Sequence, residues 1–180
     1  RPLSSHDREI YSRLVACFGD FMPMRPGTRW EYQVKDGPLV RYEVVQGSGD
    51  RYEVRFEVDG EQHPQEWQKL PNSRELLRFE RGTRELLPIG LLSPEQSLED
   101  RQVTNKFGKR AYTAQVLGLG MALTVDNVTY ENCIHVRLSE DGKNYHRDFY
   151  FAPGVGQIKY RNTRTGEEWE LMNTTPFSPN

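Results

Sequence analysis

The sequence predicts a mainly β fold: a single antiparallel sheet, strongly curved or rolled into a barrel or half-barrel, of about nine or ten strands with one N-terminal helix. Three observations lead to this prediction. Apolar and aromatic residues recur at every second position over most of the chain. Short turn signals such as Asp-Gly separate the alternating runs. Aromatic residues make up 11% of the chain, a content that disordered chains do not reach.

Residues 5–18 are predicted to form the helix. Ser5 is a suitable N-cap, Asp7 and Glu9 fall in the first turn, and Gly19 follows the last helical residue. Five residues share one apolar side: Ile10, Leu14, Val15, Cys17 and Phe18. A single short amphipathic helix cannot form a domain, so we expect it to lie against the sheet of one domain that spans residues 1–180.

The antiparallel sheet is predicted over residues 28–172. After Pro26-Gly27, large apolar residues alternate with polar ones in three successive runs, and Asp36-Gly37 and Asp59-Gly60 provide tight turns within this meander. The inward residues of the three runs are Trp30, Tyr32 and Val34, then Val40, Tyr42 and Val44, then Tyr52, Val54, Phe56 and Val58.

The second half of the chain alternates less regularly. Residues 86–107 combine Pro, Gly and a polar run, which predicts a long loop. Gly118-Leu119-Gly120 lacks the third glycine of a dinucleotide site and is interpreted as a turn between two short strands. Alternation continues through 128–138, 145–151, 157–161 and 167–172, and the tail at 174–180, with two prolines, is predicted to be loose.

Composition excludes several classes of function. The net charge of -2 gives no basic face for nucleic acid. Arginines alternate with glutamates, as in Arg51 to Glu57, which predicts a solvent face of cross-strand ion pairs. The sequence has no run of about 20 apolar residues that could cross a membrane and no apolar leader. Leu14 to Cys17 matches a lipobox, but the charged residues before it make a chance match the better interpretation.

Few residues suggest chemistry. Cys133 and His135 lie two apart on a strand and could form a metal or thiol–imidazole pair, with His146 arriving from the next strand. No second ligand cluster accompanies them, so we predict neither a metal site nor a catalytic thiol, and no cofactor. Cys17 and Cys133 are either two free thiols or one disulfide. The adjacent carboxylates Glu167-Glu168 do not define a general acid and base.

Three segments resemble one group of proteins. Phe21 to Tyr32 is similar to the "FPLxPGTxWxY" opening of uncharacterised bacterial cell-envelope lipoproteins, Tyr130 to Val136 resembles their "FxNCxxV" strand, and Phe149 to Tyr160 resembles their "YxAPGVGxIKY" hairpin. The resemblance spans residues 21–160. The resemblance implies a β fold of the half-barrel type of lipoprotein carriers and a location in the periplasm or outer envelope. It leaves membrane association open, because this sequence shows no lipidated N-terminus.

Two non-catalytic functions are compatible with the residues, and an enzyme of unknown type is the third alternative. The first is a structural or accessory subunit that docks on a protein partner in the envelope through the helix and the 86–107 loop. The second is a carrier or binding module for an apolar ligand such as a lipid. Its candidate ligand-binding residues are the inward aromatics Trp30, Tyr32, Tyr42, Phe56 and Phe149. A packed interior would favour the first function and a hollow one the second.

Overall fold

Twelve antiparallel strands form one sheet in the computed structural model, which describes Ser5 and residues 22–69, 76–80, 83–87, 102–107, 110–140 and 142–175. The strands are β1 Arg29–Val34, β2 Leu39–Ser48, β3 Arg51–Val58, β4 Glu61–Lys69, β5 Leu76–Glu80, β6 Thr83–Leu87, β7 Gln102–Phe107, β8 Arg110–Val125, β9 Val128–Glu140, β10 His146–Ala152, β11 Gly156–Asn162 and β12 Glu168–Thr174. The prediction of a mainly β, antiparallel fold is therefore confirmed. The predicted helix at 5–18 lies, apart from Ser5, outside the described residues and stays a prediction.

The sheet consists of two meanders joined by their first and last strands. Its strand order is β6-β5-β4-β3-β2-β1-β12-β11-β10-β9-β8-β7, so β1 pairs with β12 and each meander runs outward from that seam. No ladder joins the outermost strands β6 and β7 within the described residues, although Cα atoms of the two strands approach within 8 Å, so hydrogen bonds do not close the sheet there. Cα atoms of β8 and β12, which three strands separate, approach within 8 Å, and the sheet is therefore strongly curled.

The predicted turns of the first meander are confirmed. Asp36 adopts a left-handed φ of 55° between β1 and β2, and Asp59 and Gly60 have φ values of 50° and 79° between β3 and β4. Asp59-Gly60 is a two-residue turn of the kind whose twist matches that of paired strands, whereas Asp36-Gly37 lies in the four-residue connection 35–38. Gly27 (φ 90°) donates its backbone N–H to Val44 O at 2.8 Å, which fixes the entry of the chain into β1.

Two predictions for the second half are wrong in their details. Both ends of the predicted 86–107 loop are strand, because β6 continues to Leu87 and β7 covers 102–107, and the centre of the segment lies outside the described residues. Gly118-Leu119-Gly120 is not a turn between strands but part of β8. There the register with β9 shifts between Val116 and Gly118 and again between Gly118 and Met121, so the glycines produce bulges that bend the strand without reversing it.

The inner face of the curled sheet holds the core. Trp30, Val44, Val54, Ile134, Ile158 and Leu171 are almost fully buried. The outer face carries the expected ion pairs: Arg41 contacts Glu31 (2.8 Å) and Glu57 (3.8 Å), and Glu43 lies between Arg29 and Arg55. Alternation thus separates an apolar inner face from a charged outer one. Thr174, the first residue of the predicted tail, still belongs to β12, and residues 176–180 lie outside the described part.

Candidate functional site

Trp30 and Tyr32 lie side by side on the inner face of β1, as alternate residues of a strand do. Trp30 Nε1 donates a hydrogen bond to the carbonyl of Val155 at 2.7 Å, and the Tyr32 hydroxyl donates to the carbonyl of Gln157 at 2.8 Å. Both side chains are buried, and burial raises the pKa of Tyr32, which the nearby phenols of Tyr42 and Tyr130 raise further. The polar tips of these two predicted ligand residues are therefore satisfied by the protein itself.

Tyr42 and Phe56 face each other across β2 and β3, with ring centroids 4.9 Å apart. Tyr42 also contacts the rings of Tyr32 (6.2 Å), Trp67 (5.7 Å) and Trp169 (6.4 Å), and it is the direct cross-strand neighbour of Trp30. Aromatic pairs at such distances stabilise beyond the area they bury. Unlike Trp30 and Tyr32, Tyr42 and Phe56 remain only partly buried.

Phe149 lies on β10, at the other side of the same interior. Its ring lies 5.0 Å from that of Tyr160, and Tyr160 contacts Trp169 at 5.5 Å. Tyr32, Tyr42, Phe56 and Phe149 thus belong to one network of ring contacts, and Trp30 lies in the same buried core. Tyr160 and Trp169, which the sequence prediction omitted, link Phe149 to Tyr42. Tyr160 and Trp169 follow the same alternation as the predicted residues, so the pattern in β11 and β12 could have identified them.

The turn between β10 and β11 brings two of the three motif segments into contact. Gly154 (φ 73°) and Gly156 (φ 111°) adopt backbone conformations that other residues rarely adopt. A Cβ atom at Gly156 would lie 2.8 Å from Trp30 Nε1 and 3.4 Å from the sulfur of Met22. Glycine is therefore required both by the turn and by the close approach of Trp30. Residues 153–155 thus form a compact turn within the segment that resembles a hairpin.

The long β8–β9 hairpin extends toward the aromatic cluster. Asp126 and Asn127, both with positive φ, form its tip, and Val125 next to the tip is 1% exposed. Leu119, Met121, Leu123 and Tyr130 all pack against the core, and the Tyr130 phenol contributes to the raised pKa of Tyr32. The distal half of this hairpin therefore covers part of the aromatic interior.

Cys133 and His135 do not form the pair that their spacing allows. Cys133 is a free, fully buried thiol whose Sγ lies 3.3 Å from the carbonyl oxygen of Tyr130, and burial raises its pKa to about 11. Asn132, with φ 59°, interrupts the alternation so that Cys133 and Ile134 are both buried although they are neighbours. A thiol with this pKa is protonated near neutral pH and is a poor nucleophile or metal ligand.

Asp148 organises a charged cluster that the sequence did not reveal. It lies on β10 with 5% of its surface exposed, and its carboxylate accepts hydrogen bonds from His135 Nε2 (3.0 Å) and Arg137 Nε (2.9 Å). His146 Nε2 lies 3.6 Å from its second oxygen. The ring of His135 also stacks on Tyr150, with centroids 4.3 Å apart.

The protonation state of Asp148 follows from these contacts. Burial alone would raise its pKa, but the hydrogen bonds from His135 and Arg137 outweigh burial and lower the pKa to about 2. The carboxylate is therefore ionised at neutral pH and cannot supply a proton there. In the described part of the chain, no group of three or more His, Cys, Asp or Glu side chains is arranged to hold a metal ion.

Comparisons with known proteins give little that identifies the chain. No family model and no curated protein matches it at a significant level. Among solved structures, it is similar to a chain from Parabacteroides distasonis named as a "putative lipoprotein", with 10% identity and a TM-score of 0.46 over 86% of this chain and 98% of the other. Within the described residues, we find no helix that is both long and apolar enough to span a membrane.

Proposed function

We propose that the chain is a non-catalytic protein of the bacterial cell envelope and acts as a structural or accessory subunit of a larger assembly. The observation that carries this proposal is the missing ladder between the outermost strands β6 and β7, which approach within 8 Å but each pair on one side only within the described residues. A strand with unpaired N–H and C=O groups is a template onto which another chain can add a strand. The envelope location rests on the resemblance of the three motif segments.

The packed aromatic interior disfavours the alternative of ligand carriage. Trp30 and Tyr32 direct their donors to the protein's own carbonyls, and Tyr42 contacts four other side chains of the described core: Tyr32, Phe56, Trp67 and Trp169. An interior filled by its own side chains leaves no room for a ligand in that state. The enzyme alternative finds little support, because Cys133 is held as a thiol and Asp148 as a carboxylate near neutral pH.

Native mass spectrometry of the protein, purified gently from its own organism, tests the proposal. We expect reproducible co-purification of another chain and no bound small molecule. A bound molecule of lipid mass, without a partner chain, would instead support carriage and would contradict the accessory role.

Two proline variants on β7 test whether its open side holds the partner. The backbone N–H groups of neighbouring residues in a strand point to opposite sides of the strand. Of the two variants Thr104→Pro and Asn105→Pro, one therefore removes an N–H that faces β8, and the other removes an N–H that faces away from β8. We expect the outward variant to keep the wild-type unfolding midpoint and to lose the partner. The other variant is its matched control for stability. Retention of the partner by both variants would exclude β7 as the docking strand.

Carriage of an apolar ligand remains the second candidate because one observation favours it. Tyr42, Phe56, Tyr160 and Trp169 form a continuous set of rings that stays partly exposed on the inner face. Partly exposed aromatic rings that lie together are typical of surfaces that bind an apolar partner or ligand. Such a site would have to be reached past the β8–β9 hairpin.

A further inference from the structure

The distal half of the β8–β9 hairpin buries fewer of its side chains than β10 does. Among the described positions 117–131, Val125 is the one fully buried side chain. In β10, by contrast, four of seven residues are buried. Segments that bury few side chains open locally at a lower free-energy cost than the core does. The hairpin end therefore has the character of a separate, low-stability unit.

A hinge for this unit lies where the hairpin leaves the sheet. Met121 pairs with Cys133, and the residue before each of them is left-handed: Gly120 with φ 64° and Asn132 with φ 59°. The ladder between β8 and β9 is also irregular on both sides of Met121, with register shifts from Gly118 to Met121 and from Met121 to Leu123. A few residues that tolerate unusual backbone angles, placed at the same level of two strands, can absorb the rotation of a hinge.

The hairpin end packs against the core on the side of β12. Tyr130 contacts the core, and Cα atoms of β8 approach those of β12 within 8 Å. Trp169 of β12 contacts the ring of Tyr32 (6.0 Å), which also contacts Tyr42. The donors of Trp30 and Tyr32 are already used by the carbonyls of Val155 and Gln157, so a guest would meet ring faces without free donors from these two residues. Burying a charge against such a surface is costly, which favours an uncharged guest.

We propose that residues 119–131 form a flap that swings about Gly120 and Asn132 and opens the Tyr32–Tyr42–Trp169 cluster to an uncharged apolar ligand. The inference rests on the second candidate function, ligand carriage. In the closed state Val125 is buried in the core and Tyr130 packs against it. In the open state the ligand replaces the contacts that Val125 and Tyr130 make, so binding and opening are coupled.

Hydrogen exchange on the full chain tests the motion, and Nile red, a neutral apolar dye, tests the site. We expect amides of 119–131 to exchange by local opening, well before those of β10 and β11. Val125→Ser removes the buried anchor, so it should accelerate exchange in 119–131 alone and tighten Nile red binding about tenfold, because the apparent affinity scales with the open fraction. Val128→Ser in the same hairpin, at a side chain that is 49% exposed, should change neither.

Each result has a distinct meaning. If 119–131 exchanges only with global unfolding in the wild type, the flap is refuted even if Nile red binds, and carriage would then need another entry. If 119–131 opens locally but Val125→Ser leaves Nile red affinity unchanged, the flap does not control a ligand site and the proposal is overturned. Tyr42→Ala in the Val125→Ser background should abolish the gain in affinity, and a retained gain would place the dye elsewhere.

Discussion

Replacing Asp148 by Asn is the most informative single perturbation of this fold. The side chain keeps its shape, but the negative charge that His135 (3.0 Å), Arg137 (2.9 Å) and His146 (3.6 Å) share is removed. Asp148 is almost fully buried, so Arg137 would lose its compensating charge. Breaking a buried ion pair on one side costs about 3–5 kcal/mol. Because Arg137 is 34% exposed and can regain water, we expect a loss near the lower end, about 3 kcal/mol at pH 7.

The pH dependence of that loss distinguishes charge from shape. The pKa of Asp148 is lowered from 3.8 to about 2, so the carboxylate contributes stability that is fully present above about pH 4 and is lost as pH falls through 2. At about 1.4 kcal/mol per pKa unit, this contribution is about 2 kcal/mol. The protonated acid of the wild type and the amide of the variant are then both neutral. The difference in the free energy of unfolding between the wild type and Asp148→Asn should therefore narrow by about 2 kcal/mol from pH 5 to pH 2.

Urea unfolding followed by the fluorescence of the three tryptophans, at pH 7, 5, 3 and 2, measures both quantities. Glu61→Gln is the control, because Glu61 is 81% exposed on its side chain and should change stability by no more than about 0.5 kcal/mol at any pH. A difference between wild type and Asp148→Asn that stays constant from pH 7 to pH 2 would refute the reasoning, since the ionised carboxylate would then contribute nothing through its charge.

Three further predictions concern the core. Tyr32→Phe removes the hydroxyl that donates to the Gln157 carbonyl and should lower the free energy of unfolding by about 2 kcal/mol. The control Tyr145→Phe loses a 3.2 Å hydrogen bond to Glu140 and should lower it by about 0.5 kcal/mol. Equal losses of stability in urea unfolding would contradict the structural role of Tyr32. Gly156→Ala should lower the melting temperature more than Gly154→Ala, because only the former brings a Cβ within 2.8 Å of Trp30, and similar shifts would count against that contact. In a Cys17→Ser background, Cys133 should react with a disulfide reagent at pH 8 about 100-fold faster in the guanidinium-unfolded protein than in the folded one, since burial raises its pKa to about 11. Rapid labelling of the folded protein would contradict the burial of this thiol.

Much of the fold is predictable from the sequence because two local rules govern it. A period of two places Trp30, Tyr32 and Tyr42 on the inner face, and Asp-Gly pairs supply the positive φ angles that tight turns need. The same rules do not cover β8. There glycine signals a break in the pattern, but a bulge and a turn produce similar local sequences, and only the partner strand decides between them.

The candidate site was less accessible to prediction. The aromatic residues could be assigned to the interior, but the acceptors of Trp30 and Tyr32 lie 125 residues away in sequence, and no local pattern indicates them. The cluster around Asp148 likewise depends on strand pairing that no local sequence pattern indicates. Its members are unremarkable residues of β9 and β10, and they meet only because the register sets Asp148 opposite Arg137 and Tyr150 opposite His135. Long-range register is the information that a single sequence leaves out.

The three motif segments form one structural unit, and this has a consequence for where function resides. Trp30 and Tyr32 reach across β12 to the start of β11 and the turn before it, and β9 pairs with β10 through Ile134 and Phe151. The hydrogen bonds of Trp30 and Tyr32 join the first meander to the second, whereas the pairing of β9 with β10 lies within the second. The first and third motifs thus specify the seam of the fold and use the polar groups of Trp30 and Tyr32 in doing so. A resemblance carried by such residues indicates a shared fold more than a shared ligand. Partner or ligand specificity is then expected from the parts outside the seam, the open edges β6 and β7 and the end of the β8–β9 hairpin, which are the parts that the proposed experiments change.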